Sequence, residues 1–192
     1  DVKPMSVEDK RALLAGLKQE AKEHLAFRWE IPSTTLFGAL ADKELVPLFA
    51  AALSSTERDD ASQSFTDCVL DILDEGDSVP ELADKMKAVV SDESRWPVIR
   101  RDALAVWLKL TPPDEEALEL LDAINERRIA DADDELAGKL LSHLYPVAIA
   151  PEKLLRYLRP PKKRDYIGRH SMFWAYDLPR TAPDSHLPVL LD

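Results

Sequence analysis

The chain has 192 residues, with 36 Asp+Glu against 25 Lys+Arg (net charge −11), 45% hydrophobic residues, 14 prolines, five glycines and one cysteine. That length suits one domain or one stretch of a repeat array, and the ordinary apolar fraction with interspersed charge excludes a disordered chain. The single cysteine excludes a disulfide scaffold and suits a reducing cytoplasm, the apolar run Leu45–Leu53 is too short to span a membrane, and the acidity disfavours a whole-surface nucleic-acid binder.

Helical periodicity dominates, and no window alternates cleanly enough for a strand. The first helix is expected over Val7–Trp29, with Leu13, Leu14, Leu17, Ala21 and Leu25 as its apolar stripe. Ser6 and Asp9 form its capping box, and Pro32 helps to end it. Short helices follow near Thr35–Ala41 and Lys43–Leu53. Further starts are signalled by the boxes Thr56/Asp59, Ser78/Glu81 and Thr111/Asp114, by Pro112 and Pro151, and by Asp131 or Asp133 as a cap. Alternate starts then recur every 34 to 39 residues, the period of stacked helix pairs. The expectation is an all-α fold, an α-solenoid of antiparallel pairs. It comprises a long N-terminal helix (1–32), repeats (33–150) and a basic, aromatic helical segment (151–192). The non-Met start at Asp1 and the barely begun helix LPVLLD read as a piece of a longer protein.

One helix carries a more specific pattern. WPVIRRDALAVWLKL, Trp96 to Leu110, resembles the second helix of a HEAT repeat. In that resemblance Ile99 and Arg100 take the Val-Arg positions, Ala103 the small residue, and Leu104, Val106/Trp107 and Leu110 the core. Asp92 or Glu93 stands where the family has an acid. The small residue lets neighbouring helices approach, while the arginine reaches a carboxylate or carbonyl of the adjacent repeat.

Chemistry-bearing patterns are sparse. The five glycines are isolated, which leaves no phosphate loop and no dinucleotide fingerprint. His24, His143, His170 and His186 form no HxxxH pair, so neither a metal nor a cofactor is expected. His24 and His186 read as surface residues and His143 as the neighbour of packed Leu144-Tyr145. Cys68 lies on an apolar stripe with Phe65, Val69 and Ile72 and reads as a buried hydrophobe. Trp96 and Trp107, three turns apart on one face, read as core. Carboxylates such as Asp59-Asp60, Asp74-Glu75 and Asp131-Asp133-Asp134 read as caps and solvated faces.

The last segment departs from this background. Residues 151–192 hold eight basic and five acidic residues, a net of +3, while residues 1–150 carry −14. Arg156, Arg159, Lys162, Lys163, Arg164 and Arg169 crowd around Pro160-Pro161 and are the candidate contacts to a partner or a phosphate. Six of the 13 aromatic residues fall between Tyr145 and Tyr176. Such a segment stacks bases and clamps phosphates, or else packs its rings inward and pairs its cations with the acidic remainder of the chain or with an acidic partner domain. The composition weighs toward the second.

The same segment resembles a passage in the helical-repeat region of bacterial NACHT-type NTPases of the STAND class. The likeness rests on Leu144-Tyr145-Pro146, Leu158 with Pro160-Pro161-Lys162, Tyr166 with Gly168, Phe173-Trp174 and Leu178-Pro179. It implies a non-catalytic scaffold beside an upstream ATP-binding engine, in proteins that act as signalling or phage-defence sensors. The expected partner is protein, either other domains of the parent chain or a separate ligand, with no membrane contact. The alternatives are a free-standing HEAT-like adaptor and a nucleic-acid enzyme on HEAT-like repeats, such as a DNA glycosylase.

Overall fold

The computed structural model describes residues 5–24, 37–163 and 165–191, and all regular structure among them is helical. The chain divides into two compact units, residues 1–111 and 112–192. No helix among the described residues is long and apolar enough to cross a membrane.

In the first unit, α1 (Val7–Glu23) opens with the expected box: Ser6 Oγ accepts from the Asp9 N–H at 3.2 Å, and Asp9 accepts from the Ser6 N–H. The helix ends at Glu23 instead of running to Trp29, because His24 turns extended and only its N–H reaches back to the Glu20 carbonyl. The remainder of the expected helix, from Leu25, lies outside the described residues. Of its apolar stripe, Leu14 and Ala21 are buried and Leu17 is half-buried, while Leu13 is exposed. A 3₁₀ turn at Phe37–Leu40 replaces the expected short helix, and another at Lys43–Leu45 leads into α2 (Val46–Leu53).

Helices α3 (Asp60–Glu75), α4 (Ala83–Ser91) and α5 (Pro97–Lys109) complete the unit. The Thr56/Asp59 box resolves differently from expectation. Asp59 is itself the cap, its carboxylate accepting from the Ser62 N–H at 3.0 Å. Ser78/Glu81 forms no side-chain cap, because Pro80 opens a 3₁₀ turn whose missing N–H needs none. The far end of α3 is closed by Lys109, whose Nζ donates to the carbonyls of Gly76, at 2.9 Å, and Asp74.

Packing in this unit follows pairs. α2 lies on α3 and α4 on α5; α2 also touches α4, and α3 packs along α5. Phe49, Ile72, Met86, Ile99 and Leu104 are fully buried in this unit, and Cys68 is buried against Ala21 of α1. Cys68 is therefore core, as its stripe implied. Trp107 is buried as well, whereas Trp96 is only half-buried at the mouth of α5. Arg100 is buried, and its Nε donates to the Val90 carbonyl at 2.8 Å, on the other helix of its own pair rather than in the adjacent repeat expected from the HEAT-like pattern.

In the second unit, α6 (Asp114–Asn125) packs on α7 (Glu135–Leu144). Thr111 does not cap α6. It takes a left-handed conformation (φ 51°), and Pro113 occupies the cap position. Asp131 does cap α7, accepting from the N–H groups of Ala137 at 2.9 Å and Leu136 at 3.3 Å. After α7 the Tyr145–Pro146 bond is cis, and α8 (Pro151–Leu154) runs into a 3₁₀ turn at Leu155–Tyr157. A continuous helical run then comprises α9 (Arg169–Met172), a wider π turn (Phe173–Asp177) and α10 (Leu178–Thr181). The wide turn precedes Pro179, which lacks the N–H that would donate back to Ala175. The short α11 (Leu187–Leu191) ends the unit against α8.

Candidate functional site

The basic, aromatic segment folds around one acidic corner of α7. Asp134, at the helix entrance, adopts a left-handed conformation (φ 64°) that aims its buried carboxylate away from the helix and toward the loop 158–168. Arg159 Nη2 meets it at 2.7 Å, Lys162 Nζ at 3.1 Å, and the Lys162 backbone N–H donates to it at 2.7 Å. Lys162 Nζ also donates to the Asp131 carbonyl. Burial alone raises the Asp134 pKa, but the hydrogen bonds from Arg159 and Lys162 outweigh it and hold the carboxyl at about 2. Asp131, also buried, is pushed up by desolvation, which outweighs its hydrogen bonds from the Ala137 and Leu136 N–H groups.

One residue on, buried Glu135 accepts from the Arg169 N–H at 3.0 Å and so anchors the first turn of α9. This contact requires two glycines. A Cβ on Gly138 would lie 2.1 Å from the His170 backbone nitrogen, and one on Gly168 would lie 2.5 Å from Glu135 Oε1. The helices therefore meet backbone to backbone at Gly138. Gly138→Ala is expected to force α7 and α9 apart and cost about 2 kcal/mol, read as a lower urea midpoint at unchanged slope.

Of the aromatic residues, Tyr145, Tyr157 and Phe173 turn inward and Trp174 is half-buried, whereas Tyr166 and Tyr176 are exposed. Tyr145 and Phe173 are buried and meet edge to face at 6.1 Å; Trp174 packs against both Phe173 and His170. His170 is buried, and its Nε2 accepts from the Trp174 indole N–H at 3.0 Å. Since indole only donates, the neutral ring carries its proton on Nδ1. Burial, then the charge on Arg159, pushes the His170 pKa down and keeps the ring neutral. Tyr157 donates to Asp122 at 2.5 Å, and burial with that carboxylate raises its pKa. His186, expected on the surface, is half-buried because its Nδ1 pairs with the Tyr145 hydroxyl at 3.0 Å. His24 and His143 are exposed.

Five of the six candidate cations lie among the described residues, and they separate into two groups. Arg159 and Lys162 converge on Asp134 and are neutralised within the unit. Arg156, Lys163 and Arg169 keep exposed side chains, Lys163 lying over the Tyr166 ring at 5.9 Å. Arg164 lies outside the described residues. The sequence signalled the cations but not their acceptors: Asp134 read as one of the caps and solvated acids, and Glu135 carried no signal. The clue was the charge contrast between the halves of the chain.

A second polar cluster, in the first unit, had no sequence signal. Buried Arg95 donates from Nη2 to the carbonyls of Leu53 at 3.0 Å and Ser55 at 2.8 Å, and from Nη1 to Thr66 Oγ1 at 3.2 Å. Its Nε lies 3.6 Å from Asp92, which also pairs with Arg58 and accepts from the Ser94 N–H. Buried Gln63 ties this cluster to α5 by accepting from the Trp96 N–H at 2.7 Å. Burial works to raise the Asp92 carboxyl, yet the Ser94 hydrogen bonds and Arg58 draw its pKa down.

On the exposed last turn of α1, Glu20, Glu23 and His24 bring ligand atoms within 4.8 Å of one another, with His24 Nδ1 hydrogen-bonded to Glu20 at 2.9 Å. No protein-family model, curated protein or solved structure matches the chain.

Proposed function

We propose that this chain is a non-catalytic scaffold of HEAT-like helix pairs stacked as an α-solenoid, acting in the cytoplasm beside the engine of a bacterial NACHT-type NTPase. Its work is to hold neighbouring domains or a protein partner. The observation that carries this reading is the stacking order in the first unit. The first helices of consecutive pairs, α2 and α4, touch each other, and the second helices, α3 and α5, pack along their length. α2 and α4 begin 37 residues apart, at Val46 and Ala83, and so do α3 and α5, at Asp60 and Pro97. A repeat whose every helix leans on its counterpart in the next is the unit of a solenoid. Arg100, holding the Val90 carbonyl, ties the two helices of the α4–α5 pair to each other.

The NACHT-type context is supported by the positions that carry the likeness. Tyr145 and Phe173 are core residues of the second unit, Gly168 meets Glu135, and Lys162 braces Asp134, so the motif works as packing rather than as a catalytic signature. The purified chain is expected to show no ATP turnover above a buffer blank in a coupled phosphate-release assay. Turnover that co-elutes with the chain through a second column overturns the proposal.

A further inference from the structure

The first unit contains a groove of its own. It runs between α1, α2 and the start of α3 and encloses about 820 Å³. Leu14, Ala51, Leu48 and Phe65 form its floor. Leu48 is 44% exposed although its neighbours Phe49, Ala52 and Leu53 on the same helix are buried. One wall is the face of α1 that carries Arg11, Lys18 and Lys22; the other carries Glu57 and Asp59. The α1 wall is therefore cationic in a chain of net charge −11.

Three features point to one kind of occupant. From Arg11 to Lys22 the wall extends about 17 Å, three turns of a helix. Small residues along the floor, Ala51 and Ala52 on α2 and Ala15 on α1, allow a third backbone to approach closely. The cations are spaced along α1 so that they face a single flank of whatever lies there, while the opposite wall is acidic and its carboxylates are partly engaged. Asp59 caps α3, and Glu57 accepts from Ser62 Oγ at 3.0 Å. The cationic wall is more open: Arg11 approaches Glu44 only at 3.9 Å with both side chains exposed, and Lys18 lies over the Phe65 ring at 5.7 Å.

We infer that this groove docks an amphipathic helix of a protein partner, its leucine-like stripe on Leu48 and Phe65 and its acidic flank along Arg11, Lys18 and Lys22. The inference rests on the partner-docking role proposed above and names the site and the chemistry of the ligand. Helix-in-groove recognition supplies affinity from the apolar anchors, while the charged wall fixes the direction of the helix.

The test uses fluorescence anisotropy with the whole chain and two designed helical peptides. Both have leucines spaced three and four residues apart; one carries glutamates along one flank, its twin lysines at the same positions. The glutamate peptide is expected to bind saturably and the lysine twin at least about tenfold more weakly. Lys18→Glu with Lys22→Glu, both at exposed positions, is expected to invert that preference, with an unchanged helical circular-dichroism spectrum. Leu48→Asp is expected to abolish binding of both peptides. Equal binding of the twins, no saturation by about 1 mM, or displacement of the peptide by dodecanoate, which would mark a lipid site, each overturns the inference. None of these outcomes bears on ATP turnover, so failure of the groove and failure of the scaffold reading are separately visible.

Discussion

Arg95→Ala is expected to lower the stability of the first unit by about 4 kcal/mol, the largest effect of any polar substitution in it. The guanidinium is buried and reaches three acceptors, Leu53 at the end of α2, Ser55 just beyond it and Thr66 in the body of α3. The last carbonyls of α2 have no partner within the helix, so Arg95 supplies what a C-terminal cap supplies elsewhere. Alanine leaves the Leu53 carbonyl buried without that donor, weakens the hold of Asp92 and opens a cavity where the side-chain stem lay. Ser55 is less affected, because Arg58 Nη1 also donates to its carbonyl, at 2.7 Å. Arg95→Lys is expected to recover less than half of the loss, since a point-like ammonium cannot span Leu53, Ser55 and Thr66 together. Arg58→Ala, at a side chain 28% exposed, is expected to cost only about 1 kcal/mol. Urea denaturation with amide exchange resolved over residues 46–75 ranks the three. A loss below about 1 kcal/mol for Arg95→Ala would show that α2 and α3 are held by their apolar contacts alone.

The sequence was most legible where one local rule decides. Ser6 with Asp9, Asp131 at the entrance of α7 and prolines at first turns place helix starts within a few residues of those observed, because a cap needs only its own neighbours. Cys68 and Trp107 were legible as core from spacing on one face. Arg100 was legible as an arginine that holds a carboxylate or carbonyl, but its partner, Val90, lies ten residues away in the same helix pair rather than in an adjacent repeat. Legibility failed where the partner lies far along the chain. Arg95 finds Leu53 and Ser55 some forty residues back, Lys162 finds Asp134 across 28, and nothing near any of these residues specifies the other. The boxes at Thr56 and Thr111 failed differently. Both hold the right residue types, but Asp59 and Pro113 offered closer starts. The groove beside α1 was invisible for a further reason: it depends on which face of the helix α3 leaves uncovered, and Arg11, Lys18 and Lys22 look in sequence like any solvated flank.

Substitution at Asp134 is expected to be the most damaging change in the second unit, and its pH dependence separates charge from shape. Asparagine tolerates the left-handed conformation that Asp134 adopts, so Asp134→Asn removes the charge while leaving the backbone at ease. Arg159 and Lys162 then face each other across a neutral amide, at an expected cost of about 3 kcal/mol. Asp134→Ala adds backbone strain of about 1 kcal/mol to that loss. The Asp134 carboxyl titrates at about 2 in the folded protein, below its ordinary 3.8. A folded-state pKa lowered in this way adds stability that is complete above the unfolded value and disappears as pH falls from about 4 through about 2, an amount near 2 kcal/mol. Asp131 acts in the opposite sense: burial raises its pKa, so its contribution favours low pH and declines as pH rises past the unfolded value. The difference between wild type and Asp134→Asn, measured by urea unfolding at pH 2 to 6, largely removes the Asp131 contribution common to both. That difference is expected to be near its maximum above about pH 4 and to shrink steadily below it. A difference that stays constant down to pH 2 would mean that the cations are held by solvent rather than by Asp134, and that the loop 158–168 is fixed by Glu135 and the glycine contacts alone.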